Sequence, residues 1–268
     1  MKFKNSLSLL LTGLLVSAAL WFTACKDNEE QPAPSISLSA TTFTGKIGAT
    51  ASTTTTVSAP GGFKSLKITK YKGVDVDASF GTAGTETLSD ATHTHSYVLA
   101  AEGLTTPIRF KFVAEDNNGK TASADFIITT QPSVAYLLTT YNWLWKSKLG
   151  KCLASDPETE QIYDCEKDNF YVFSTDGTFK VDYGPITGGS GSCQFDGFRV
   201  GDTWTLNADE TELTLKSPSA FDPADIQTEV FKISTATNSS IISRQTIDLS
   251  VFGCIVYDWG FEWSAKPK

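Results

Sequence analysis

The stretch CEKDNFYVFSTDGTFKVDYG, residues 165–184, carries the clearest strand pattern of the chain. Tyr171 and Phe173 occupy alternate positions, Ser174 to Gly177 form a polar turn, and Phe179 opens a second alternating run. Alternation with period two places apolar side chains on one face of a strand, and an Asp-Gly step between two such runs is a hairpin signal. The stretch therefore predicts an antiparallel β-hairpin with one buried aromatic face.

Similar alternating segments lie on both sides of this hairpin. In chain order they contain Trp143 and Trp145, Trp204 and Leu206, Leu213 and Leu215, Phe231 and Ile233, Ile241 to Leu249, and Cys254 to Trp263. About eight or nine antiparallel strands joined by tight turns predict an up-and-down β-barrel. We assign the barrel to residues 136–268, after a short boundary at Gln131-Pro132-Ser133.

Residues 35–131 show a second set of short strands. Ile108, Phe110 and Phe112 alternate with polar residues, and the turn Asp116 to Gly119 separates them from another alternating run that ends near Ile128. The Asn-Gly step in this turn is a strong hairpin signal. A segment of about 100 residues with this rhythm predicts an immunoglobulin-like β-sandwich. The predicted fold class is all-β, with the sandwich followed by the barrel.

Both halves resemble modules of bacterial lipoproteins. APGGFKSLKI (residues 59–68) and FVAEDNNGKTASADFIIT (residues 112–129) resemble Ig-like modules of bacterial surface lipoproteins, although this half has neither cysteine nor tryptophan. NWLWKS (residues 142–147), the hairpin stretch and GDTWTLNADETELTL (residues 201–215) resemble lipocalin-like domains of secreted bacterial lipoproteins. In that group a Trp-Lys pair opens the barrel, and Cys-x-Lys-Asp leads into an aromatic strand. True lipocalins open with Gly-x-Trp, whereas Tyr141 and Trp143 stand two positions before the candidate tryptophans. The resemblance implies a lipocalin-like shape without an assigned ligand.

The N-terminus has the features of an export signal. Lys2 and Lys4 precede the apolar run Leu7 to Leu20, and small residues lead to Cys25. The run is shorter than the roughly 20 residues that span a bilayer. The junction resembles a bacterial lipobox, with Phe22 in place of the usual leucine. This resemblance implies that residues 1–24 are a lipoprotein signal peptide and that Cys25 is the lipid-attachment site. The alternative is an ordinary signal peptide with an incidental cysteine.

Residues 25–34 form an acidic tether that contains Asp27, Glu29 and Glu30. Its position resembles the surface-export signal of lipoproteins in glycan-foraging Gram-negative bacteria. The resemblance implies an outer-membrane protein that is lipid-anchored and exposed on the cell surface, with a periplasm-facing anchor as the alternative. Two or three acyl chains on one residue would hold it there, because each buried methylene contributes about 0.8 kcal/mol.

The net charge limits the kinds of partner that the chain can bind, and the number of cysteines indicates whether they form disulfides. The formal net charge is -8, and such a chain repels nucleic acid. Four cysteines follow Cys25, and an even number in an exported chain indicates two disulfides. Cys165 and Cys193 flank the hairpin, while Cys152 follows the first barrel strand and Cys254 lies in the last, which are neighbours in a closed barrel. Of the three possible connectivities, we predict Cys165–Cys193 and Cys152–Cys254. Zinc is the alternative, but the chain has no CxxC pair.

Two motifs in the first half suit metals superficially. His93 and His95 share a strand face in THTH and could bind a metal, but a polar face beside a loop is the simpler interpretation. Asp116 could suggest calcium, but no further acids stand at ligand spacing, so we interpret it as a turn residue. We predict neither a metal nor another cofactor.

Catalytic motifs are missing from the sequence. The second half has no histidine, and the chain contains no GxSxG, HExxH or phosphate-binding glycine loop that leads into a helix. A paired-carboxylate hydrolase remains a remote alternative, since glycosidases need only two acids. We predict a non-catalytic binding module for a small apolar or glycan ligand, with Trp143, Trp145 and Tyr183 as candidate ligand contacts. A structural or adhesive surface protein whose tryptophans are only core is the competing hypothesis. The sequence identifies no protein partner.

Overall fold

The computed structural model describes residues 30–186, 201–219 and 222–268. Strands dominate both halves, and the only α-helix among these residues is α1 (Val134–Thr140). The chain is therefore all-β, as predicted. In the described ranges, no helix combines the length and the apolar composition that a transmembrane helix requires.

Nine strands form the N-terminal domain. They are β1 (Ser35–Leu38), β2 (Thr42–Lys46), β3 (Thr50–Ser58), β4 (Phe63–Lys72), β5 (Asp75–Val76), β6 (Thr85–Leu88), β7 (Thr92–Val98), β8 (Ile108–Asp116) and β9 (Thr121–Gln131). One sheet has the order β1-β3-β7, and the other has the order β2-β9-β8-β4, with β5 and β6 both paired to β4. The first extended segment divides between the sheets, because β1 pairs antiparallel with β3 while β2 pairs parallel with β9. This is an immunoglobulin-like sandwich.

The predicted hairpin forms the centre of the larger sheet. Phe112 pairs with Ala124 in an antiparallel register between β8 and β9. At the turn, the Asp116 carboxylate accepts hydrogen bonds from the backbone N–H groups of Asn118 (2.9 Å) and Lys120 (2.8 Å). Gly119 takes a φ of 80°, which a glycine adopts without strain. The interpretation of Asp116 as a turn residue is therefore confirmed.

His95 corrects one interpretation made from the sequence. It is only 6% exposed and lies in the sandwich core, with its ring centroid 4.2 Å from that of Phe110. Burial, with a smaller contribution from His93, lowers the pKa of His95 to about 4. The THTH segment is therefore not a polar face beside a loop, because its second histidine is a neutral core side chain.

The C-terminal domain is built from the remaining strands. They are β10 (Tyr141–Gly150), β11 (Thr159–Glu160), β12 (Phe170–Phe173), β13 (Phe179–Asp182), β14 (Thr203–Leu206), β15 (Glu212–Pro218), β16 (Ile226–Ala236), β17 (Ser240–Asp248) and β18 (Val256–Pro267). Eight of them follow the order β13-β12-β10-β18-β17-β16-β15-β14, and the short β11 pairs with β10. Every pairing is antiparallel.

This sheet curves into a nearly closed barrel. The first and last long strands pair along a seam that runs from Tyr141 opposite Pro267 to Leu149 opposite Gly260. The free edges of β13 and β14 approach each other at one bridge, where the Phe179 N–H donates to the Asp202 carbonyl at 2.9 Å. The up-and-down barrel predicted from the strand pattern is therefore present as a fold.

A disulfide joins Cys152 to Cys254 just beyond the seam, with Cα atoms 4.5 Å apart. Beside it, the Ile255 N–H donates to the Cys152 carbonyl at 2.8 Å, which continues the pairing of the seam. Cys165 is disulfide-bonded as well. Its predicted partner, Cys193, lies outside the described residues.

Helix α1 connects the two domains and was not expected at the start of the barrel segment. The Ser133 hydroxyl caps it by accepting the Tyr136 N–H at 3.1 Å. Glu210, which lies on the β14–β15 turn, accepts the N–H groups of Val134 (3.0 Å) and Ala135 (3.2 Å). The same carboxylate pairs with Lys46 of the sandwich at 3.0 Å. One side chain thus ties together the helix, the barrel and the sandwich.

Candidate functional site

The barrel has two chemically different ends. The end that we call the helix end contains α1 and the turns β14–β15 and β16–β17, and it faces the sandwich. Because consecutive strands are antiparallel, the connections after β10, β15 and β17 lie at the opposite end, which we call the loop end. A ligand that enters the barrel away from the sandwich must therefore approach through the loop end.

Side chains fill the centre of the barrel. The Trp145 ring lies with its centroid 5.2 Å from that of Tyr171, 5.1 Å from that of Phe261 and 5.8 Å from that of Trp263. Phe231 packs against the same cluster, and its ring centroid is 5.2 Å from that of Trp263. Tilted and edge-to-face contacts at such separations are typical of dense aromatic cores. The interior of an eight-stranded barrel can be filled by side chains alone, and in the described part of this barrel an aromatic cluster occupies the centre.

The candidate ligand residues named from the sequence do not form one site. Trp143 is fully buried, and its indole N–H donates to the Leu137 carbonyl of α1 at 3.2 Å, so it faces the helix end. Trp145 is buried in the central cluster. Tyr183 is half-buried and follows β13 at the loop end. The two tryptophans have core positions, and of the three only Tyr183 lies near an entrance.

Part of the connection between β10 and β12 folds over the loop end. Lys148 forms an ion pair with Glu166 (2.6 Å), and Ile162 is buried in the barrel core. Glu160 accepts hydrogen bonds from the Ser147 hydroxyl (2.6 Å) and from the N–H groups of Lys148 and Ile162 (2.8 and 3.1 Å). Burial acts to raise the pKa of Glu160, but these hydrogen bonds outweigh it and the pKa is lowered. The connection is a fixed cover over the β10–β12 side of the opening.

Trp259 lies at the loop end on β18, next to β10. It shares the inward face of β18 with Phe261 and Trp263, and its ring lies against Gly150, where a Cβ atom would come within 2.5 Å of the indole carbons. Glycine at position 150 is therefore what allows the ring to lie along the barrel wall. The indole N–H is buried and has no hydrogen-bond acceptor within the described part of the chain. Because this N–H is itself buried, a ligand would contact the exposed part of the ring, and it would reach the donor only if neighbouring side chains moved.

Polar side chains share this end of the barrel with Trp259. Gln245 lies directly opposite Trp259 in the β17–β18 register, and Gln227 lies opposite Ser217 in the β15–β16 register. The Ser217 hydroxyl is buried and finds no partner among the residues described. This end of the barrel thus combines one aromatic ring with neutral amide and hydroxyl groups, together with the Lys148–Glu166 ion pair and with Glu229, which lies opposite the buried Leu215.

Charged groups at the rim neutralise one another. Glu158 accepts hydrogen bonds from the Arg244 guanidinium (3.0 Å) and from the Tyr257 hydroxyl (2.8 Å). The Arg244 contact, followed by that of Tyr257, holds the pKa of Glu158 below its ordinary value. A general acid needs a raised pKa. Glu158 and Glu160 are therefore poor candidates for acid catalysis, and the described residues contain no group of three or more acids, histidines or cysteines placed to hold a metal.

The fold defines a class, an all-β chain with an Ig-like sandwich followed by a nearly closed barrel-shaped sheet. No protein-family model matches the chain, and neither does any curated protein. Among solved structures it is similar to a chimeric titin Z1Z2 that carries an exogenous decorin peptide, with 11% identity, a TM-score of 0.28 and coverage of 82% of this chain and 92% of that one. A titin I-band fragment, I67–I69, has 10% identity and a TM-score of 0.30, and the match covers 89% of this chain and 90% of the fragment. A third is SGBP-B of the Bacteroides ovatus mixed-linkage glucan utilization locus, in complex with a heptasaccharide, with 12% identity, a TM-score of 0.25 and coverage of 81% and 54%. At such low TM-scores these similarities do not extend to a shared function.

Proposed function

We propose that the chain is a lipid-anchored, non-catalytic binding protein of the outer membrane, displayed on the cell surface, and that the loop end of its barrel binds a carbohydrate. The observation that carries this proposal is the half-buried Trp259 ring on Gly150, with Gln245 directly opposite it in the β17–β18 register. A sugar ring presents an apolar face to an aromatic side chain and hydroxyl groups to amides and hydroxyls. Binding sites commonly combine such apolar surface with a few polar groups that fix orientation.

The packing of the barrel favours a sugar over a long apolar ligand. A fatty acid would need a dry channel into the barrel, but the aromatic cluster around Trp145 occupies that space. Inserting a chain would require several buried rings to leave their packed positions, and core side chains resist such displacement. A shallow ligand at the opening requires no such rearrangement.

The position of the opening suits a surface-anchored protein. The tether and the proposed anchor at Cys25 precede the sandwich, and the helix end of the barrel faces that sandwich through Glu210 and Lys46. The loop end therefore points away from the domain that follows the anchor. This arrangement would leave the opening accessible if the N-terminus were held at a membrane.

Binding can be tested with a glycan panel and matched variants. Intrinsic tryptophan fluorescence of the purified protein should change on titration with at least one glycan, since Trp259 contacts the ligand. Trp259→Ala should weaken that binding at least tenfold, and Trp259→Phe should retain part of it because the ring remains. Val74→Ala is the control, because Val74 lies between β4 and β5 of the sandwich and is 88% exposed. Equal affinity of Trp259→Ala and the parent would show that the site is elsewhere.

A structural or adhesive role is the second candidate. It is favoured by the burial of Trp143, Trp145, Trp204 and Trp263 in the barrel core, as expected if these tryptophans only stabilise the fold. It predicts no response to any glycan in the panel, and a stable barrel in Trp259→Ala. The same titration therefore separates the two candidates.

A further inference from the structure

We propose a second ligand site in the cleft between the sandwich and the barrel, and we infer that it takes a neutral, hydroxyl-rich ligand of the size of a short oligosaccharide. The cleft is a half-open groove of about 720 Å³ at the helix end, and its walls come from both domains. Ligand sites of about 300–1,000 Å³ at domain interfaces are common. This site is separate from the loop end and does not depend on the function proposed there.

Two tyrosines supply the aromatic surface of the cleft. Tyr136 of α1 and Tyr141 at the start of β10 are both half-buried and line it. The Tyr141 ring is held edge-on against Trp143, with ring centroids 6.2 Å apart and planes at 82°. No hydrogen bond engages either phenolic hydroxyl within the described residues. The rings are therefore positioned by the protein, while their hydroxyls remain free to bind.

The remaining polar groups of the cleft are neutral. Gln131, Asn238 and Thr105 line it from three different elements. The charged side chain of the lining is Lys46, whose ammonium already pairs with Glu210 at 3.0 Å. An anionic ligand would have to compete with that ion pair, and a cationic ligand would find no carboxylate in the lining. Neutral hydroxyl groups match these amides, hydroxyls and rings.

A smaller cavity beside the cleft provides an internal comparison. It is a half-open groove of about 230 Å³ that shares Lys46, Pro132, Leu137 and Ala236 with the cleft, but it carries Asp209 and Glu210 in place of the tyrosines. The two neighbouring grooves between the domains thus differ in chemistry, one with carboxylates and the other with tyrosines. The aromatic and neutral hydrogen-bonding groups are concentrated on one side, as expected of a binding site rather than of a crevice left between two surfaces.

The walls of the cleft are fixed in advance of binding. Glu210 holds Val134, Ala135 and Lys46 at once, so it connects the barrel turn, the helix and the sandwich. Preorganised walls reduce the entropy that a ligand must remove on binding. The same contacts imply that loosening Glu210 weakens binding without touching the ligand.

Isothermal titration with neutral tetrasaccharides tests the proposal, using β-1,4-glucan, α-1,4-glucan and β-1,4-mannan fragments as probes. At least one should bind in Trp259→Ala, in which the loop end is disabled. In that background, Tyr141→Phe combined with Asn238→Ala should weaken binding at least tenfold, because hydrogen bonds are lost while the ring remains. Asp209→Ala, on the smaller cavity, is the matched control and should leave the affinity unchanged.

Three results would overturn the cleft site. Loss of all binding in Trp259→Ala would assign every contact to the loop end. Unchanged affinity in the Tyr141→Phe, Asn238→Ala variant would place the second site elsewhere. Absence of binding by all three probes to the parent protein would rule out the neutral-oligosaccharide specificity. Failure of the loop-end site alone, with probe binding that depends on Tyr141, would leave the cleft proposal standing.

Discussion

Removal of the disulfide between Cys152 and Cys254 should destabilise the barrel strongly. The two residues are 102 positions apart, so the bond closes a loop that contains nearly the whole barrel. Chain-entropy arguments give about 4.7 kcal/mol for a loop of about 100 residues. The seam between β10 and β18 would keep its backbone pairing in the folded state. The loss therefore comes mainly from greater freedom of the unfolded chain.

The assay is thermal and denaturant unfolding of the Cys152→Ser, Cys254→Ser double variant. At about 3–4 °C per kcal/mol for a domain of this size, the barrel transition should fall by about 15 °C. Reductant is unsuitable as the perturbation, because Cys165 is also disulfide-bonded. The sandwich contains no cysteine and supplies an internal control, since its transition should not move. A loss below about 1 kcal/mol would refute the argument, because it would mean that the bond restricts the unfolded chain far less than the chain-entropy model requires.

Three further predictions concern other parts of the chain. The free energy of unfolding of the sandwich should be highest above pH 6.5 and should fall by up to about 3 kcal/mol towards pH 4. The reason is that His95 takes up its proton near pH 6.5 in the unfolded chain but only near pH 4 in the folded one. In chemical denaturation, His95→Phe should remove most of this pH dependence. Glu210→Gln should cost about 1 kcal/mol and speed amide exchange at Val134 and Ala135, since the charge that caps α1 and pairs with Lys46 is lost; unchanged exchange would contradict the capping role. Cys25→Ser should move the protein out of the detergent phase, and unchanged partitioning would exclude lipid attachment at Cys25. Alanines at Asp27, Glu29 and Glu30 should reduce protease access to the protein on whole cells, and unchanged access would exclude an acidic export signal.

Local patterns were readable from the sequence where one face of a strand is buried. The hairpin from Ile108 to Gln131 follows from alternation and an Asn-Gly turn, and the barrel hairpin pairs Phe173 with Phe179 around the predicted turn. In each hairpin, the two strands and their turn are adjacent in the sequence, so no information about distant segments is needed to predict the pairing.

The candidate site was less readable because it depends on contacts between distant segments. Trp143 and Trp145 face the barrel interior from β10, but a bulge between Trp145 and Ser147 changes which alternate residues face inward. After the bulge, Lys148 and Gly150 face the interior. Period-two reading fails after such a shift. Trp259 could have been noticed from its alternation with Phe261 and Trp263, but the meaning of Gly150 appears only when β10 lies beside β18.

Helix α1 was missed for a similar reason. Its seven residues include the β-branched Val134, Thr139 and Thr140, which give little helix propensity. The carboxylate of Glu210, about 75 positions away, satisfies its first N–H groups. Glu210 itself adopts a φ of 55°, an unfavourable conformation for a residue with a side chain.

The parallel pairing of β2 with β9 has a mechanical consequence. The tether leads into β1, β1 leads into β2, and the barrel is attached at the end of β9, where Lys46 lies beside Gln131. A pull between the tether and the barrel therefore acts along the pair in shear, from opposite ends. In this geometry, the hydrogen bonds that join β2 (Thr42–Lys46) to residues 127–131 of β9 bear the load together instead of opening one after another. If the N-terminus is anchored as proposed, this pair would resist drag on the barrel in shear.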